Sequence, residues 1–132
     1  MESSIETTIA IILFLLVVSW AIFSVTLHIS AKYDQSIKDI LTENASLIKN
    51  FIIINKKFYD PPTNPSFYGI NSNVEINIEI KEFIYDSQVK LIRHEIYPKN
   101  FTIPKFIDKG EAIGAYLNSS LILVKVIVYG LP

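Results

Sequence analysis

Hydrophobic and polar positions divide the chain into three stretches, taken as 1–30, 31–50 and 51–132. From Ile9 to Ile29 the sequence IAIILFLLVVSWAIFSVTLHI contains no Asp, Glu, Lys, Arg or Pro. About 21 residues at 1.5 Å rise cover roughly 30 Å, the thickness of a bilayer's hydrocarbon. A transmembrane helix is therefore expected over 1–30. A cleaved signal peptide is disfavoured, because the flank Met1–Glu6 is acidic rather than basic and the apolar run is too long. A core helix this apolar would need a larger domain to bury it. The residues expected to face lipid, or the centre of a polymer, are Ile11, Leu13, Phe14, Leu15, Leu16, Val17, Val18, Trp20, Ile22 and Phe23.

Between Ser30 and Lys49 the chain turns polar but keeps a helical period, with Ile37, Ile40, Leu41, Leu47 and Ile48 near i, i+3, i+4, i+7 spacing. This predicts an amphipathic stalk over 31–50 that continues the membrane helix. Its apolar stripe looks too thin for a core, so packing on a neighbouring copy or another subunit is expected. Phe51–Asn55 favours a strand, because three β-branched residues follow one another, with a final helical turn as the alternative. Pro61, Pro62 and Pro65 then impose a loop.

Past the loop the period becomes two. Val74–Ile80 alternates between aliphatic and polar residues, the pattern of a half-buried strand. The phase slips at Lys81–Glu82, as a β-bulge would make it, and Asp86–Ser87–Gln88 suits a hairpin turn before a return strand to Tyr97. Pro104 makes Phe101–Ile107 an edge strand at best. A short strand should lead to Leu117. Leu121–Tyr129 is apolar on both faces apart from Lys125, which marks a central strand. Five or six short strands argue for a small antiparallel sandwich over 51–132. The fold class expected is α+β.

Composition narrows the chemistry. Twelve basic and thirteen acidic residues leave a net charge of −1, so bulk electrostatics give no pull towards nucleic acid. No cysteine is present, which excludes disulfides and thiol catalysis. His28 and His94 are isolated in sequence and make no zinc motif, and Gly69, Gly110, Gly114 and Gly130 make no phosphate loop. His94, within Arg93-His94-Glu95, is expected in a cross-strand surface contact. No enzyme, metal or cofactor is expected. The remaining candidates concern assembly: Glu6 ahead of the apolar run, Ile37, Leu41 and Ile48 on the stalk, and the aromatics Phe58, Tyr59, Phe67 and Tyr68 around the proline loop.

Two signals bear on orientation, and they conflict. Lys32 and Lys38 follow the apolar run while no Lys or Arg precedes it, which taken alone puts the C-terminal part inside. Sequons at Asn44, Asn100 and Asn118 are candidate glycosylation acceptors and point outside.

An apolar helix running into an amphipathic stalk and then a small β-domain resembles the archaeal type IV pilin-like superfamily. Within it, Ile29–Pro62, ISAKYDQSIKDILTENASLIKNFIIINKKFYDPP, is most similar to FlaG-type archaellum stator proteins, through Phe51-Ile52-Ile53-Ile54-Asn55 in particular. Asp108–Ala112 is similar to a turn of extracytoplasmic Ig-like domains. The resemblance covers roughly the first half of the chain. It implies an Ig-like sandwich outside the cell membrane on a single-pass anchor. Its function would be to link the archaellum motor to the envelope. The implied partners are lipid or identical subunits along the helix, a second stator protein or further copies, and the S-layer. Two features of the pattern are missing: the Asn-Thr-Gly turn after the loop, and the basic-Gly processing site of true pilins ahead of the apolar run. The second favours a permanent anchor over the alternative, a filament subunit with its apolar helix in the filament core.

Overall fold

The computed structural model describes the backbone from Glu2 to Pro132, and side chains from Ser4 onwards except Asp34. It contains one α-helix, α1 (Glu2–Ile54), a 3-10 helix (Pro65–Tyr68) and four strands: β1 (Val74–Asp86), β2 (Gln88–Tyr97), β3 (Asp108–Leu117) and β4 (Leu121–Gly130). The chain forms two compact units that divide between Ser36 and Ile37.

The first unit is helix alone. Two of its threonines bond their hydroxyls within the helix. Thr8 Oγ1 donates to the Ser4 carbonyl at 2.8 Å and Thr26 Oγ1 to the Ile22 carbonyl at 2.9 Å. Each hydroxyl is thereby satisfied without water.

The second unit is a sheet with a helix laid on one face. The strand order is β2-β1-β4-β3, antiparallel throughout. Alternation sends Ile76, Ile78 and Ile80 of β1 to the inner face, beside Val124, Val126 and Val128 of β4. Leu41, Ala45, Ile48 and Ile52 of α1 close over them, all but enclosed. Their spacing of three and four residues is one helical stripe. Each aliphatic side chain removed from water here contributes about 1.5–3 kcal/mol before chain entropy is counted.

The edge strand makes this contact close. Gly110, Ala112 and Gly114 alternate along the inner side of β3, directly beneath α1. A Cβ on Gly110 would lie 2.2 Å from the backbone of Leu41 and Thr42, with no flexible atom to yield. At Gly114 the nearest atoms are the Ile53 Cδ1 at 2.5 Å and the Lys49 Cδ at 2.8 Å, both able to move.

Several expectations from the pattern are met. β1 and β2 form a hairpin turning at Ser87, whose φ is 61°, and the register shifts between Glu82 and Phe83. Ile92 is the extra residue of that bulge. β4 is central, as its two-sided apolar character required.

Three expectations are corrected. Phe51–Ile54 is the last turn of α1 and not a strand. Tertiary burial of Ile52 overrides the β-branched preference, and the turn closes with Lys57 N–H on the Ile52 carbonyl at 2.9 Å and Lys56 at φ 52°. Phe101–Ile107 forms no strand. Finally, the described strands make one sheet, so no two-sheet Ig-like sandwich forms within the chain. The segment expected to be a stalk supplies the second layer instead. Its narrow stripe suffices because the glycines of β3 let the helix sit low.

In the detergent-solubilised chain, Gly110→Ala should lower unfolding stability by about 3 kcal/mol, the upper end of what overpacking costs, because backbone cannot yield. Gly114→Ala should cost under about 1.5 kcal/mol, since side-chain ends can shift. Equal losses in chemical denaturation would contradict this account of the helix seat.

Candidate functional site

No group of three or more His, Asp or Glu side chains converges as a metal site among the described residues. What stands out is surface that a lone soluble domain would bury. All ten apolar positions named for the membrane helix are exposed, from Val18 at 36% to Trp20 at 70%. The helix is long and apolar enough to cross a membrane, and none of its apolar window is buried. Glu6 is likewise exposed and lies on this helix.

The stalk candidates have a different fate. Leu41 and Ile48 are core residues, and Ile37 packs partly against that core. They hold the helix to its own sheet and are not available to a neighbour, contrary to expectation.

The aromatics split as well. Phe58 is buried, tilted against Tyr116 at 5.3 Å between ring centroids. Phe67 and Tyr68 stand edge-on to Phe51 at 5.4 and 5.5 Å, so the 3-10 helix clamps the proline loop onto the end of α1. The Tyr68 hydroxyl donates to the Pro62 carbonyl, and burial pushes its pKa up to about 12. Tyr59 is exposed but lies under the Arg93 guanidinium, 4.0 Å from ring centroid to Cζ.

Arg93 had no individual role in the sequence reading, yet it ties three elements together. Its Nε lies 3.3 Å from Glu82 Oε2 on β1, and its Nη1 donates to Glu95 Oε2 at 3.3 Å and to the Phe58 carbonyl at 2.9 Å. Ser120 Oγ donates to the other Glu82 oxygen at 2.7 Å, and the Tyr97 hydroxyl donates to Glu95. Arg93 and Glu82 side chains are only 12% and 15% exposed, so the pair is well screened from solvent. His94 makes the cross-strand contact expected of it, Nε2 to Glu79 Oε1 at 3.4 Å.

Cross-strand pairing reveals a further surface, on the sheet face opposite α1. Side chains directly paired share a face. Phe83 pairs with Leu91 and with Leu121, Tyr85 with Val89, and Leu117 with Leu121. All of them but Leu91 line an open hollow of about 190 Å³ at the end of the sheet where both hairpins turn. Tyr85, Val89 and Leu117 are exposed at 79%, 68% and 78%. The alternation of each strand was legible in sequence, but without register nothing showed that these positions adjoin.

Of the sequon asparagines, Asn118 lies in the β3–β4 turn and Asn100 in the loop after β2, both exposed. Asn44 sits on α1 and is partly buried beside Ile37, Leu41 and Val74.

Comparison with protein-family models, with curated proteins and with solved structures finds no match to this chain.

Arg93→Ala should destabilise the chain by about 3 kcal/mol, because it strands Glu82 in a poorly hydrated site. Arg93→Lys should recover less than half of that in denaturant titration, since one ammonium cannot reach both carboxylates and the Phe58 carbonyl. Full recovery would mean that charge alone matters there.

Tyr68 generates a pH prediction. Its folded pKa lies above the unfolded value of 10.0, so its contribution is complete below about pH 10 and is lost as pH rises towards 12. Ultraviolet titration of the phenols should show a late step, and Tyr68→Phe should remove it. A titration unchanged by Tyr68→Phe would refute the assignment.

Proposed function

We propose that this chain is a non-enzymatic, membrane-anchored structural protein whose helix-backed sheet works outside the cytoplasmic membrane as an assembly module. The observation that carries this reading is the apolar helix, which has no buried residue in its apolar window and no core of its own to enter. Left in water it would expose more contiguous apolar surface than a soluble monomer ordinarily shows. Lipid, or the packed centre of a polymer, is the setting its composition demands.

Within that reading the first role is a stator-like one, joining a cell-surface motor such as the archaellum to the envelope. A permanent anchor suits it, as does a small domain with exposed apolar surface for partners such as a second stator protein or the S-layer. The exposed Asn100 and Asn118 sequons agree with an outside location.

A specific observation favours a second reading, a pilin-like filament subunit. The helix that carries the apolar run also forms a layer of the domain, from Leu41 to Ile52. A filament subunit would likewise carry its domain on the helix that enters the filament core.

Cell fractionation combined with electron microscopy of sheared surface material separates these roles. The stator-like role predicts the full chain in alkali-washed membranes, retained after shearing. Recovery of the chain in regular filaments would replace it with the filament reading. Recovery as a soluble monomer would end both.

A further inference from the structure

We propose that the loop joining β2 to β3, Pro98–Ile107, rests on the bilayer surface, with its isoleucines in the headgroup layer and its lysines on anionic phosphates. This deepens the anchored reading above and depends on it, because the apolar run must first hold the chain at a membrane.

Topology puts the loop at the end of the sheet where the chain enters the second unit. β2 and β3 are the two edge strands, so the loop crosses the whole end of the sheet. Three strand spacings of about 4.8 Å make that crossing on the order of 14 Å. The helix begins its course over the sheet from the same end. Gly110 and Gly130 face Leu41, whereas Gly114, further along β3, faces Lys49 and Ile53. Ile37 and Ile40 line an open hollow of about 230 Å³ together with Ile107, Gly130 and Leu131.

The chain leading to Ile37 is short. Ile37 stands eight positions after Ile29, where the apolar run ends (37 − 29 = 8). That stretch is helical and spans about 12 Å; even fully extended it could not exceed roughly 29 Å. Tether length alone therefore keeps this end of the sheet within reach of the bilayer surface. The opposite end, where both hairpins turn, lies about 30 Å away along β4.

The composition of the loop suits that surface. PKNFTIPKFI carries two lysines and no Asp or Glu, in a chain whose net charge is −1. Neither Lys99 nor Lys105 is in an ion pair among the described residues. Asp108, which follows, accepts from the Lys109 N–H at 2.8 Å. Ile103 and Ile107 are 69% and 60% exposed, and Ile40 beside the hollow 57%. Phe101 and Phe106 pack on Tyr129 at 5.8 and 5.1 Å and brace the loop from behind. Aliphatic side chains interleaved with unpaired lysines match a bilayer interface. The apolar groups enter between headgroups, the lysine stems lie along them, and the ammonium groups reach phosphate. At the opposite end Asp86 balances Lys90 at 3.7 Å, so no such excess of positive charge exists there. A bilayer is the surface, both apolar and anionic, that the anchor itself brings to the loop. Because the anchor supplies the effective concentration, the contact needs little affinity of its own.

The chain has no cysteine, so single substitutions place a probe at one site. Ile103→Cys and Ile107→Cys mark the loop, Tyr85→Cys and Leu117→Cys the opposite end, and Val17→Cys the middle of the apolar run. Each full-length variant is labelled with nitrobenzoxadiazole and reconstituted in phosphatidylcholine–phosphatidylglycerol vesicles. A nitroxide on the lipid headgroup should quench both loop probes at least three times more than either probe at the opposite end. Adding Lys99→Glu and Lys105→Glu to Ile103→Cys should reduce its quenching at least two-fold. Loop quenching no greater than at Tyr85→Cys and Leu117→Cys overturns the proposal, and so does quenching indifferent to the double charge reversal. Loop probes shielded from aqueous iodide yet unquenched by lipid overturn it too, and make a protein the occupant. Failure of a nitroxide deep on the acyl chain to quench Val17→Cys would instead sink the anchored reading, a readout independent of the loop probes.

Discussion

The seat of α1 on the sheet governs the second unit. Seven aliphatic side chains there are fully enclosed, from Ile48 and Ile52 on the helix to Ile78, Ile80, Val124, Val126 and Val128 on the central strands. A single small sheet with one helix has little other apolar surface to bury, so this contact has to be tight. Gly110 sets how tight. Its missing side chain lets the helix backbone at Leu41 rest on the edge strand, and the rest of the stripe reaches the valines of β4 from there. The Arg93 network and the clamp of Phe67 and Tyr68 on Phe51 fix the helix end and the following loop to the same sheet.

That solution consumes the inner face and leaves the outer one to be dealt with separately. Near Tyr129 the loop from Pro98 to Ile107 folds back and its phenylalanines shield the strand. Across the middle, charged side chains make the face wettable. At the hairpin end neither device is present, although alternation places large apolar residues there. The apolar residues of this protein thus fall into three sets: those satisfied within the fold, those exposed along the N-terminal helix, and a smaller group on the sheet. The last two are what a structural role in a membrane assembly would use.

Legibility varied with the range of the interaction. The strand pattern, the hairpin at Ser87, the bulge beside Glu82 and the central place of β4 could be read along the chain, because each follows from residues a few positions apart. The cross-strand contact of His94 could be read for the same reason. Arg93 could not be singled out, since its partners Glu82 and the Phe58 carbonyl lie 11 and 35 positions away. A signal did exist in the glycine-alanine-glycine alternation of Gly110, Ala112 and Gly114, which marks a strand approached closely from one side. Which element approached it was invisible.

By itself the sequence determined that an apolar N-terminal helix precedes an antiparallel β-region free of cysteine, because hydrophobic period and residue type decide those locally. Only the tertiary structure decided that Phe51–Ile54 is helical, that Leu41 and Ile48 face their own sheet, and that the sheet has one layer. The physical reason is the same in each case. A thin apolar stripe or a β-branched run is compatible with several neighbours, and the choice falls to whichever arrangement removes most apolar surface from water without a clash. Here that arrangement was set by the space above a glycine about seventy residues further along the chain than the helix it receives.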